Sequence, residues 1–112
     1  MNADKAVYIA HMPPAGLRLG QLRYQDLDIG SVDIYEFLKE VIYEFLKEVR
    51  PLLSLHGHIH ESPDTGKGKW INQIHHTTCI QTGQTELHDE ELIYAEIDLE
   101  NREYERKRIK LK

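Results

Sequence analysis

The chain has 112 residues, 40% of them hydrophobic and 29% charged, which suits one modest globular domain and no more. With 19 acidic against 14 basic residues the formal charge is −5, which argues against general nucleic-acid binding because that function needs a basic face. The single cysteine, Cys79, excludes an internal disulfide and favours a reducing, cytoplasmic compartment. No apolar stretch approaches the roughly 20 residues of a membrane helix, so we expect no membrane association.

Two apolar segments predict buried strands that each run into histidine. The first covers residues 6–10 and continues into His11-Met12-Pro13-Pro14. The second covers residues 52–56 and continues into Gly57-His58-Ile59-His60. The glycine lets the backbone turn sharply, so nearby imidazoles can converge. Two adjacent strands that end in histidine place these side chains at one edge of a sheet, which is typical of a metal site.

The segment between these strands predicts a loop, over residues 17–30, and then a long helix. Ser31 or Asp33 can cap this helix, apolar residues recur with helical periodicity as far as Val49, and Pro51 ends the pattern. The helix contains a tandem repeat, because residues 34–41 recur unchanged as residues 42–49. Eight residues turn the apolar face by about 80° and lengthen the helix by about 12 Å. A natural duplication, an engineered one and a deliberate extension that packs on another chain remain open.

The second half of the chain predicts mostly strands. A polar loop follows the histidine turn, and a pair of histidines, His75 and His76, separates the next two apolar segments. Alternating apolar and polar residues near the end of the chain predict a hairpin. The predicted strands cover residues 70–74, 77–81, 92–99 and 104–111.

The histidines together resemble the calcineurin-like metallophosphoesterase family. That family has a lone histidine after a strand, here His11, and later a Gly-His-x-His motif, here Gly57-His58-Ile59-His60. The resemblance implies that His11 and His58 ligate one metal and His60 a second. The implied cofactors are divalent ions of the Mn, Fe, Zn or Ni class, which imidazole binds well.

Residues near the ligands in sequence are further candidates, and a packed or exposed neighbour without a role in the site is the alternative for each histidine among them. Four neighbours would orient the ligands or face the substrate: Gly57, His56, His75 and His76. The resemblance covers only the C-terminal half of the family's domain, because its N-terminal acidic and histidine motifs do not occur here. The bridging carboxylate and the catalytic histidine belong to those motifs, so the catalytic residues are unknown.

These observations lead to one set of expectations. We expect a single domain over residues 1–112, the C-terminal half of a metallophosphoesterase domain. Its fold class would be α/β, a partial β-sandwich flanked by helix, with one long amphipathic helix. The intact parent would hydrolyse phosphomonoesters or phosphodiesters, whereas the isolated chain would be inactive. Exposed sheet surface would lead to a homo-oligomer or to assembly with a partner chain.

Two other functions fit the same residues. The chain could be a non-catalytic assembly module that docks through its long helix. It could also be a metal-binding domain without hydrolysis, in which three histidines gather one zinc ion.

Overall fold

A computed structural model of the chain describes residues 7–23, 26–40, 52–74, 77–84 and 91–111. These residues contain six strands, one α-helix and a short 3-10 turn at Ser62–Asp64. No helix among them is long and apolar enough to cross a membrane. The elements in chain order are β1 Val7–Ala10, α1 Val32–Glu40, β2 Leu53–His56, β3 Ile71–Ile74, β4 Thr77–Gln81, β5 Glu91–Asp98 and β6 Glu103–Lys110.

Four of the strands form one sheet, in the order β1-β2-β4-β3. Strands β1, β2 and β4 are parallel, whereas β3 runs antiparallel to β4. The register places Ala10 beside His56 and His56 beside Gln81. The carboxyl ends of three parallel strands therefore meet at one edge of the sheet, and the histidine-bearing turns leave from that edge.

The helix α1 packs on one face of this sheet. Leu38 and Cys79 are buried there together with Leu19 from the loop after β1. The ring of Tyr8 on β1 meets the ring of Phe37 edge to face, with 5.7 Å between the ring centroids. The four-residue strands offer a small surface, and the helix and the loop cover it from the same side.

The other two strands, β5 and β6, form an antiparallel hairpin that docks on the body of the protein. Ile93 is its buried apolar contact. Arg106 donates two hydrogen bonds to the carboxylate of Asp64, at 2.9 and 3.0 Å, and a third to the carbonyl oxygen of Thr82. Arg108 donates to the same carboxylate at 3.0 Å. Asp64 therefore fastens β6 to the loop that follows the histidine turn.

The predicted fold class, α/β with one long amphipathic helix, is wrong. The described residues are mostly β, and α1 has nine residues. Nine helical residues span about 13.5 Å, which already matches the roughly 13 Å of a four-residue strand. The strands therefore offer no further length for a helix to cover. The second copy of the repeat, residues 42–49, lies outside the described residues, as do His75 and His76.

Candidate metal centre

The structure brings His11 and His58 together at the carboxyl edge of the sheet. The Nε2 atom of His11 lies 2.8 Å from the Nδ1 atom of His58, and both side chains are exposed. The two rings meet edge to face, with 4.6 Å between their centroids. One of these nitrogens donates its proton to the other in the metal-free pair. Two imidazole nitrogens thus converge on one exposed point, 47 residues apart in sequence.

A tight turn makes this encounter possible. The amide of Ile59 donates to the carbonyl oxygen of Gly57 at 2.9 Å, and His58 between them has a φ of 73°. This is a γ-turn whose central residue occupies a region of backbone space that side chains normally avoid. In a continued strand His11 and His58 would point to opposite faces of the sheet. The turn redirects His58, and it does so at the expense of backbone strain.

The backbone around His11 is held from the neighbouring strand. The amide of Gly57 donates to the carbonyl oxygen of His11 at 2.8 Å, which continues the pairing of β1 with β2 by one step. Nδ1 of His56 hydrogen-bonds to the carbonyl oxygen of Met12 at 2.8 Å. These hydrogen bonds hold the chain leaving β1 at the carbonyl oxygens of His11 and Met12. Gly57 and His56 thus fix the backbone around His11, and their role in orienting a metal ligand stays a prediction.

His56 itself is a fixed structural group. Because a carbonyl oxygen only accepts, the proton of the ring sits on Nδ1, and Nε2 accepts from the hydroxyl of Ser54 at 2.6 Å. Burial lowers the pKa of His56 below its ordinary value of 6.5. The ring is therefore neutral at pH 7, and both of its nitrogens are already used.

Two buried polar residues that the sequence reasoning did not single out anchor the histidine turn. The side-chain amide of Gln81 donates to the carbonyl oxygens of Ile59, at 2.6 Å, and Leu19, at 3.3 Å. The hydroxyl of Ser62 donates to the carbonyl oxygen of Arg18 and accepts from the amide of Gln21. Both side chains are almost fully buried. They tie the turn to the loop after β1, so the two segments that carry the histidines are braced against each other.

His60, the third predicted ligand, is exposed, and its backbone is held by a distant segment. Its carbonyl oxygen accepts from the amide of Gln84 at 3.0 Å. Gly83 passes so close that an added Cβ would lie 2.6 Å from the same oxygen, and its φ of 68° also favours glycine. Within the described residues, no group of three or more His, Cys, Asp or Glu side chains could hold a metal ion. The structure thus joins two of the three predicted ligands.

A cleft of about 260 Å³ lies between the loop after β1 and the loop after the histidine turn. Arg23 and Lys67 are among its lining residues, but neither His11 nor His58 is. Lys67 pairs with Asp26 there, and this contact lowers the pKa of the Asp26 carboxyl. Because its charge is balanced by that carboxylate, Lys67 does not make the cleft an anion site.

The chemistry available at the sheet edge is therefore that of a pair of imidazoles. Neutral imidazole is a good ligand for zinc, nickel, iron and manganese. Compared with known proteins, the chain matches no family model, no curated protein and no solved structure.

Proposed function

We propose that the chain is the metal-binding C-terminal part of a phosphoesterase centre, in which His11 and His58 hold a divalent metal ion. The observation that supports this most directly is the 2.8 Å approach of two exposed imidazole nitrogens at the carboxyl ends of neighbouring parallel strands. The strained turn at His58 adds to it, because such strain concentrates at sites where geometry serves a function.

The pair fits a metal ion in both chemistry and spacing. Two nitrogens that lie 2.0–2.1 Å from a tetrahedral zinc ion are about 3.3 Å apart. The observed 2.8 Å is reached from that spacing by a small rotation of either ring, and both rings are exposed. His11 would present Nε2 and His58 would present Nδ1, so each ring must carry its proton on the other nitrogen.

A bound metal ion would polarise a phosphoryl oxygen and lower the pKa of a coordinated water. This chain's own residues contribute orientation. Gly57 and His56 fix the backbone around His11, and the γ-turn fixes His58. No carboxylate of the described residues joins the pair in a group that could hold a metal. We propose that hydrolysis of a phosphomonoester or phosphodiester takes its acidic ligands from another polypeptide, and we expect the isolated chain to bind metal without turning over substrate.

The second candidate function is metal binding without hydrolysis. The specific observation in its favour is that, within the described residues, no carboxylate forms a metal-binding group with the two imidazoles. A version with three histidines on one zinc would require His60 to join the pair. For either function we propose that the protein works in the reducing cytoplasm, which suits the lone buried thiol of Cys79.

Isothermal titration of the metal-free chain with Zn²⁺ and with Mn²⁺ tests the proposal. We expect saturable binding that is lost in His11→Ala and in His58→Ala and is retained in Gln73→Ala, an exposed control on β3. The His60→Ala variant separates the alternatives, because it leaves binding unchanged if two histidines form the site. Binding that persists without His11 and His58 would refute the proposal.

Catalysis is tested separately, with bis(p-nitrophenyl) phosphate as the substrate. We expect no turnover by the isolated chain at saturating metal. Turnover that depends on His58 would show that this chain alone carries a complete centre, which would contradict the requirement for a second polypeptide.

A further inference from the structure

The candidate metal centre offers two ligands at the protein surface, whereas closed zinc sites in proteins are almost always four-coordinate. His11 and His58 are both exposed, and their converging nitrogens are accessible from outside the molecule. No other His, Cys, Asp or Glu of the described residues completes the set. Within the part of the chain that the structure describes, the remaining positions are open to water or to a second molecule.

We infer that a second copy of this chain fills them, so that one Zn²⁺ ion joins two copies through four imidazoles. The inference rests on the proposed metal binding by His11 and His58. A tetrahedral ion is compatible with a two-fold axis through its centre, because the axis exchanges one pair of ligands for the other. Each copy then contributes Nε2 of His11 and Nδ1 of His58, and the contact is the same surface on both copies.

The surface beside the pair suits contact with another molecule. Strand β1 lies at the end of the sheet order, so one of its sides has no strand partner among the described residues. Ile9, two residues before His11, is 81% exposed, and Val7 on the same face is also exposed. An apolar side chain this open on a sheet edge favours covering by protein. A second copy held at His11 brings its own Ile9 into the same region.

The assembled site would differ in kind from a hydrolytic one. Four imidazoles leave no position open for water or for a phosphoryl oxygen, whereas catalytic zinc sites keep such a position. The zinc-joined pair is therefore a structural, closed state. A polypeptide that supplies carboxylate ligands would have to displace the second copy before any phosphoester could be bound.

Size-exclusion chromatography with light scattering, with and without Zn²⁺, tests the inference together with the metal content of each peak. We expect a dimer that contains one zinc per two chains and that returns to monomer with a chelator or in His58→Ala. We expect Ile9→Glu, which leaves both imidazoles in place, to weaken the zinc-joined dimer by about tenfold or more, because it places a charge in a covered apolar contact.

The other outcomes are distinguishable. A monomer with one zinc per chain would overturn the inference and leave the proposed metal site intact. No zinc binding at all would overturn both. A dimer that forms without zinc and persists in His58→Ala would overturn the inference, because the copies would then meet elsewhere.

Discussion

Replacing His58 by glycine and by alanine measures the strain of the γ-turn, and we predict that the glycine variant is the more stable of the two. Both substitutions remove the imidazole and its contact with His11, so that loss cancels in the comparison. What remains is the backbone, because residue 58 has a φ of 73°. A side-chain-bearing residue in such a conformation costs about 1–3 kcal/mol, and glycine avoids that cost.

Glycine also makes the unfolded chain more flexible, which costs about 0.4–1 kcal/mol relative to alanine. The difference between the two terms leaves the His58→Gly variant more stable than His58→Ala by about 1 kcal/mol. Urea unfolding of both metal-free variants measures it. With an m-value of about 1–2 kcal/mol/M, the glycine midpoint should lie about 0.5–1 M higher.

The same pair of substitutions at Gln73 provides the matched control. Gln73 is exposed in the middle of β3, where the backbone is extended. There the order should reverse, with the glycine variant less stable by about 0.5–1 kcal/mol. If the two variants at position 58 show the same order as those at position 73, the turn is not strained and the reasoning fails.

Three further predictions follow from buried groups elsewhere in the molecule. Asp64→Ala should lower the free energy of unfolding by about 2 kcal/mol, because it leaves the charge of the largely buried Arg106 without a carboxylate partner. The control is Asp26→Ala, which breaks an exposed ion pair and should leave the urea midpoint nearly unchanged. Burial lowers the pKa of His56 in the folded protein below the 6.5 of the unfolded chain. The stability that the buried neutral ring contributes is therefore fully present above pH 6.5 and is lost as the pH falls from 6.5 through the pKa of the folded state. Urea unfolding at several pH values should therefore show a fall below pH 6.5 that is smaller in His56→Gln, and an equal fall in both would count against the buried neutral ring. Burial raises the pKa of the Cys79 thiol to about 12, so a thiol reagent at pH 8 should modify it only after unfolding; rapid reaction of the native protein would contradict this.

The strands were the predictable part of the fold. The hairpin strands were predicted over residues 92–99 and 104–111, and the observed strands, Glu91–Asp98 and Glu103–Lys110, differ from these bounds by one residue. The sheet order was not predictable, because β4 inserts between β2 and β3 and this depends on contacts between distant segments. The long helix was wrong: the helix that the structure describes is α1, Val32–Glu40, and residues 42–49 of the repeat lie outside the described residues. Sequence periodicity carries no information about how long a surface the sheet offers.

The candidate site shows the same division. Both histidines of the pair follow apolar strands, and the parallel pairing of those strands places them at one edge, as predicted. His11 meets His58 rather than His60 because the backbone of His58 has a positive φ. A histidine in the sequence does not predict that backbone conformation. Gln81 and Ser62 were missed for a related reason. A glutamine at the end of a fully buried strand is the only signal of its role, and its two carbonyl partners come from distant loops.

The strain at His58 also bears on whether the pair is a working site. A histidine that serves only as a packed or exposed neighbour gains nothing from a conformation that glycine or asparagine adopts more easily. Here the turn is braced by Gln81 and by Ser62, both almost fully buried, and it aims the imidazole at a second imidazole. The strain and the bracing are both understandable if the two nitrogens hold a common ion. The stability difference at position 58 and the zinc titration therefore test one idea from two sides. If the turn proves strained but the protein binds no zinc, the proposed reason for the strain is wrong. If the protein binds zinc but the turn is not strained, the ligands are arranged differently from the His11–His58 pair described above.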